Sequence, residues 1–324
     1  MKAVLAKAFG GPETLVLEDL PEPRPGPGEV VVEVRAAALN FFDTLIIQGR
    51  YQYKPDFPFS PGAEASGIVT ALGEGVSGWA EGDRVIAHLG WGACRERVVI
   101  KAKRLVRIPD GVSDEQAAGL TVTYGTSLHA LKDRARLKTG ETLAVLGAAG
   151  GVGLSAVELG NLMGARVIAC ASSPDKLDLA RRHGADLALD YSAEDLKEGL
   201  KRLTEGRGVD VIYDPVGGDL AEPALRAIAW EGRYLVVGFA GGGIPKIPLN
   251  LLLLKGCDVQ GVFWGAFVER DPGGHAANMA DLLAWVAQGK LSAHVDAVYP
   301  LDRTAEALQV IARREAKGKI LVWP

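Results

Sequence analysis

The sequence predicts an α/β protein in which a doubly wound parallel sheet is inserted into a smaller β-rich domain. Three observations carry this expectation. Residues 1–117 hold short apolar runs punctuated by Gly and Pro, and residues 118–266 alternate strand-like and helix-like segments. Residues 267–324 hold too few elements to fold alone, so they are expected to return to the first domain.

Composition fits two cores. The chain has 324 residues, 48% of them hydrophobic and only 23% charged, which is too little charge for disorder. A net charge of -4 with no Lys/Arg run gives no basic face for nucleic acid. The opening residues lack an apolar segment of signal-peptide length, and the longest apolar run, around residues 251–254, is too short for a bilayer. Cys94, Cys170 and Cys257 form no CxxC pair and read as reduced, packed thiols. The expectation is a soluble cytoplasmic protein with neither nucleic-acid nor membrane partners.

In the first domain the expected strands cover residues 30–34, 67–72, 84–87, 97–100 and 105–108, separated by turn-rich stretches such as PEPRPGPGE. A helical stretch opens at Asp114 and runs, with a break, to Leu131. Strands follow at 143–146, 166–170, 187–189, 209–213, 234–237 and 258–262, with helices at 152–163, 174–183, 193–204 and 220–229. Gly164 and Gly184 sit where helix-terminating glycines belong, and Ser173-Pro174 reads as an N-cap with Pro in the first turn. The tail is expected to add a helix at 276–288 and strands near 295–299 and 319–322.

The most informative stretch is Leu143-Ala144-Val145-Leu146-Gly147-Ala148-Ala149-Gly150-Gly151-Val152-Gly153. A buried strand runs into a glycine-rich turn that opens an apolar-periodic helix. Glycines let the backbone approach a pyrophosphate, and the free N–H groups of the first turn supply donors and positive dipole. Its spacing, GxxGGxG, is one residue longer than the usual fingerprint, and a tight strand–helix turn alone would look similar. With a strand before it, a helix after it and a further strand on cue, dinucleotide binding through Gly150, Gly151, Val152 and Gly153 is favoured.

Cofactor choice is read at the end of the next strand. NAD-preferring folds place a carboxylate there, about 20 residues past the loop, for the ribose 2′-hydroxyl. This chain has Ser172, Ser173 and, one turn on, Lys176, with Asp175 expected to be turned away by Pro174. Two hydroxyls and a cation suit a 2′-phosphate, so NADPH is the expected cofactor.

Several motifs recur together: Ala37-Ala38-Leu39-Asn40-Phe41-Phe42-Asp43, Pro61-Gly62-Ala63-Glu64-Ala65-Ser66-Gly67, Glu81-Gly82-Asp83-Arg84-Val85, Gly184-Ala185-Asp186, Asp214-Pro215-Val216-Gly217-Gly218 and Gly238-Phe239-Ala240. With the glycine loop, they make essentially the whole chain resemble the medium-chain dehydrogenase/reductase superfamily, in its zinc-free, zeta-crystallin-like quinone oxidoreductase branch. The resemblance implies a Rossmann domain at 118–266 inside a GroES-like catalytic domain. Zinc-dependent relatives hold their metal with Cys, His and Cys. Here Asn40 stands at the first position, Ala63 at the second, and residues 118–121 contain no Cys. The five histidines show no ligand spacing, so no metal is expected.

Without a Lewis acid, NADPH would pass hydride directly to an electron-poor acceptor such as a quinone. The resemblance assigns catalytic roles to Asn40, Tyr51 (a proton donor in related enoyl reductases) and Thr123, which with Tyr124 is expected near the nicotinamide. It assigns Phe239 to ring packing and Tyr191 to covering the adenosine phosphate. Two alternatives stand beside the quinone reading: an enone or enoyl-CoA reductase, and an NADPH-binding, crystallin-like protein with little turnover. A homodimer is expected through the sheet edge at 258–262.

Overall fold

The computed structural model describes residues 1–324. Two compact units result: Met1–Val122 with Met279–Pro324, and Thr123–Asn278. These divisions fall later in the chain than those expected at 117/118 and 266/267.

The first stretch of unit one carries β1 (Lys2–Leu5), β2 (Val16–Asp19), β3 (Glu29–Leu39), α1 (Phe41–Ile46), β4 (Glu64–Leu72), β5 (Arg84–His88), β6 (Arg97–Lys101), β7 (Leu105–Arg107) and α2 (Asp114–Ala118). The strand expected at 30–34 extends to Leu39. Ala36 and Ala38, weak strand formers by composition, are fully buried against Ala118 and Leu321, and that packing overrides propensity. β3 pairs antiparallel with both β4 and β6, and bulges interrupt its register with β4. Helix α2 is closed by a reciprocal cap between Ser113 and Gln116.

Unit two begins within α3 (Thr121–Leu128), whose last turn widens to a π-helix at His129–Arg134. Then come β8 (Thr142–Leu146), α4 (Gly151–Leu162), β9 (Arg166–Ala171), α5 (Pro174–Arg182), β10 (Leu187–Asp190), α6 (Leu196–Leu203), β11 (Val209–Asp214), α7 (Ala221–Arg226), β12 (Ile228–Val236), α8 (Asn250–Lys255), β13 (Asp258–Gly261) and α9 (Trp264–Arg270). The sheet is parallel throughout, in the order β10-β9-β8-β11-β12-β13. Counted from β8, this is 3-2-1-4-5-6, the dinucleotide-binding order with its switch point between β8 and β11.

Two expected helices start or stop elsewhere. The one expected at 193–204 begins at Leu196, because Asp195 caps it by accepting the Glu198 N–H at 2.9 Å. The one expected at 220–229 ends at Arg226. The alanines of Ala227-Ile228-Ala229 suggest helix, but β12 already starts at Ile228 and turns at Glu231, whose φ is +58°. Gly164 and Gly184, at φ +78° and +101°, do end their helices as expected.

Helix α10 (Pro272–Ala287) contains the second unit boundary. Its Asp-Pro-Gly-Gly opening looks like a break, yet Pro is tolerated in a first helical turn. The chain then returns to unit one through β14 (Val295–Pro300), α11 (Thr304–Ala312) and β15 (Lys319–Trp323). β15 inserts between β14 and β3, completing the sheet order β14-β15-β3-β4-β5-β7. No helix is long and apolar enough to cross a membrane.

Candidate active site

The carboxyl ends of the parallel strands in unit two gather one set of site residues. After β8 the chain turns at Gly147 (φ +62°) and enters α4 with Gly150 as N-cap. A Cβ on Gly153 would stand 2.2 Å from the Gly147 carbonyl oxygen, so only glycine fits there. A Cβ on Gly150 would meet nothing nearer than that oxygen at 3.5 Å. The loop is therefore closed against its own backbone at Gly153 and open at Gly150. Gly151 and Val152, in the first turn, are half-buried.

β9 ends at Ala171 and leads to exposed Ser172, then Ser173 as the N-cap of α5. The Ser173 side chain makes no cap hydrogen bond to its helix. Lys176 lies half-buried on the first turn. Tyr191, just past β10, donates its backbone N–H to the Ala171 carbonyl and packs its ring on the core of the sheet. Its neighbour Ser192 bonds the Ser172 carbonyl at 3.3 Å, joining the two strand ends.

At the other side of the switch point Asp214 organises the loop after β11. It is buried, accepts N–H bonds from Val216 and Gly217 at 2.8 Å each, and takes the Tyr234 hydroxyl on its second oxygen. Burial pushes its carboxyl up from the usual range. Gly217 sits at φ +64°, and a Cβ there would stand 2.8 Å from Phe239. Phe239, 40% exposed, thus lies over a glycine rather than inside the core. Thr123 is buried in α3, and its carbonyl accepts from Ser155 in α4 at 3.1 Å. Tyr124 is buried as well, its hydroxyl bonded to Glu158 at 2.7 Å.

Unit one holds a second set. β3 ends at Leu39, and Asn40 is the buried N-cap of α1. The Asn40 Nδ2 donates to Glu64 Oε1 at 3.2 Å, and Lys319 Nζ donates to Asn40 Oδ1 at 2.5 Å and to Glu64 Oε1 at 2.7 Å. Glu64 Oε2 accepts the Val122 N–H at 2.8 Å. Asp43, also fully buried, accepts the backbone N–H groups of Asn40 (2.7 Å) and Gly62 (3.0 Å). Burial raises the Asp43 carboxyl to about 7, with Glu64 adding to the rise while the two N–H bonds and Lys319 oppose it. Tyr51 stacks on Phe42 of α1, with ring centroids 5.3 Å apart. Its phenol is pushed up to about 12, chiefly by burial and then by Tyr53 and Asp43. The tyrosine is thus neutral at any ordinary pH.

Asp43, Glu64, Lys319 and Asp214 were not singled out from sequence. Asp43, Glu64 and Asp214 each stand in or beside an apolar stretch, and such a charge needs a buried partner, whereas Lys319 follows Lys317 in a charged stretch and gives no such signal. For the three carboxylates that signal was readable; the partner was not.

Known proteins match both units. Residues 26–110 fit the family described as alcohol dehydrogenase GroES-like domain, and residues 151–286 the one described as zinc-binding dehydrogenase. Quinone oxidoreductase-like protein 2 of Rattus norvegicus is 42% identical over 93% of this chain and 86% of its own length. Quinone oxidoreductase of Pseudomonas aeruginosa is 35% identical over 100% of this chain and 99% of its own. The crystal structure of Escherichia coli quinone oxidoreductase complexed with NADPH superposes with a TM-score of 0.92 at 30% identity, covering 100% of both chains. The chain belongs to the medium-chain dehydrogenase/reductase family, in its quinone oxidoreductase branch.

Proposed function

We propose that this chain is an NADPH-dependent oxidoreductase that delivers hydride to a quinone without a metal ion. The observation that carries the reading is the Lys319 ammonium seated 2.5 Å from the Asn40 amide oxygen. A divalent ion coordinated by Asn40 would stand against that buried positive charge. Ala63, at the second lost-ligand position, offers no donor atom, and no three His, Cys, Asp or Glu side chains cluster to hold a metal. What remains is a polar group that stabilises negative charge on an acceptor oxygen by hydrogen bonding, which suits quinones better than alcohols or simple ketones.

The cradle in unit two fits NADPH. Its loop is open at Gly150, the β9 end offers hydroxyls and no carboxylate, and the Ser173 side chain is not used by its own helix. Gly150, Gly151, Val152 and Gly153 would hold the pyrophosphate through backbone N–H groups. Ser172, Ser173 and Lys176 would bind the 2′-phosphate, Tyr191 would cover the adenosine end, and Phe239 would pack on a ring. Bound NADPH supplies the hydride; the protein supplies orientation and the proton. Asn40 and Tyr51 are the residues proposed to meet the acceptor, with Thr123 as a further catalytic candidate. The neutral Tyr51 phenol is also what a second reading needs, in which hydride goes to an enone or enoyl thioester and Tyr51 returns a proton.

A steady-state assay of NADPH oxidation against quinones, enones and enoyl-CoA thioesters tests the proposal. Quinones should be fastest, and a chelator should leave the rate unchanged. Faster enone reduction favours the second reading, and loss of activity in chelator sinks the metal-free mechanism. NADPH binding without turnover on any acceptor favours a crystallin-like binding protein.

A cytosolic homodimer is part of the same proposal. Strand β13 pairs on one side only, with β12, and Val259 on it is 42% exposed. Nearby in sequence, Leu253 of α8 is 81% exposed, and Trp230 lies against Gly256 at the end of that helix while remaining 69% exposed.

A further inference from the structure

We infer that Lys319 and Glu64 are positioning residues that orient and polarise the Asn40 carboxamide, leaving one N–H to meet the reacting oxygen. This rests on the proposed role of Asn40. The orientation of the amide follows from chemistry as well as from coordinates. An ammonium has only donors, so Lys319 must face the Asn40 oxygen; a carboxylate has only acceptors, so Glu64 must face the nitrogen. Flipping the amide would break both bonds. One of its two N–H donors goes to Glu64, and the other is left for a ligand.

Polarisation follows from the same placement. Positive charge at the amide oxygen and negative charge at its nitrogen both favour the resonance form with O⁻ and C=N⁺. That form makes the remaining N–H a stronger donor, and burial amplifies the effect, since Lys319 is 4% and Glu64 0% exposed. The surroundings are built to admit the lysine: a Cβ on Gly119 would stand 2.8 Å from Lys319 Cγ. Asp43, the other titratable group in the cluster, bonds only backbone N–H groups and leaves the carboxamide untouched.

The experiment compares Lys319→Met, Asn40→Ala and the double variant, with Lys319→Met/Glu64→Gln as a charge-neutral pair in case the single change unfolds the protein. If Lys319 acts through Asn40, Lys319→Met should lower kcat by about 10- to 100-fold, with the NADPH Kd unchanged. It should then cost nothing further in the Asn40→Ala background. An equal loss in both backgrounds, or a lower Tm with kcat intact, overturns the inference. A readout independent of turnover is the side-chain amide of Asn40 in protein labelled with ¹⁵N-asparagine, which has only four asparagines. Its two amide protons should be well separated, with one slow to exchange, and the charge-neutral pair should remove both features. An amide signal indifferent to that pair overturns the inference even if the enzyme proves inactive on every acceptor, which would instead count against the proposed function.

Discussion

Lys176 and Ser173 are single side chains on which dinucleotide choice is expected to turn. A charge-assisted hydrogen bond contributes about 1.5–3 kcal/mol, so Lys176→Ala should weaken NADPH by about 10- to 100-fold and NADH hardly at all. Fluorescence titration with both dinucleotides checks this, and equal losses would remove Lys176 from the phosphate site. Asp43 makes a prediction of a different kind. Its folded pKa, about 7, lies above its ordinary 3.8, so between those values the folded chain holds a proton that the unfolded chain releases. Stability from this group is therefore greatest at low pH, falls as pH rises, and is fully lost above about 7. The Glu64 charge adds to this rise and so enlarges the total loss, while Lys319 reduces it. Urea unfolding between about pH 5 and about pH 8 should lose this slope in Asp43→Asn, and an unaltered slope would reassign the titration. At this scale the sequence was legible where a residue's neighbours in the chain decide its setting, as for Ser173 before Pro174. It was silent on Lys319, because Asn40 and Glu64 are its partners only once β15 has been placed beside β3.

The glycine turn after β8 shows how an element divides its labour among similar residues. Gly153 is required by the loop's own backbone, whereas Gly150 has room for a methyl group. Gly153→Ala should lower Tm and abolish NADPH binding, at a cost of about 1–3 kcal/mol in stability. Gly150→Ala should keep the wild-type Tm and lose NADPH affinity, since its Cβ enters space the pyrophosphate is expected to use. Thermal melts beside NADPH titrations decide, and two variants that behave alike would contradict the assignment. Most of unit two was readable because strand, turn and helix follow one another locally. The short helices α1, α8 and α9 were not assigned from sequence. Leu251 of α8 is buried while Leu253 and Leu254 face solvent, so four leucines in a row carry no helical period.

For the molecule as a whole, the one-sided edge of β13 and the exposed leucines of α8 make the mass in solution the decisive measurement. Light scattering should give twice the chain mass of 34.2 kDa. Replacing Val259 by Lys should shift the protein toward monomer, and a wild-type monomer would contradict the dimer. Unit two is one continuous stretch, whereas unit one is drawn from both sides of it. A first domain drawn from both ends of the chain is what the few elements left after the parallel sheet lead one to expect, although no local signal marks where helix α10 crosses from one unit to the other. The interrupted layout also sets an order of assembly during synthesis. Unit two can close as soon as its last helix leaves the ribosome. Unit one must wait for β15, and until then the Glu64 carboxylate lacks the ammonium that makes its burial tolerable. A nascent chain therefore has every part of its nucleotide cradle before it has an assembled Asn40 cluster, and ribosome stalling before residue 319 would yield a chain in which Asn40 and Glu64 lack their lysine.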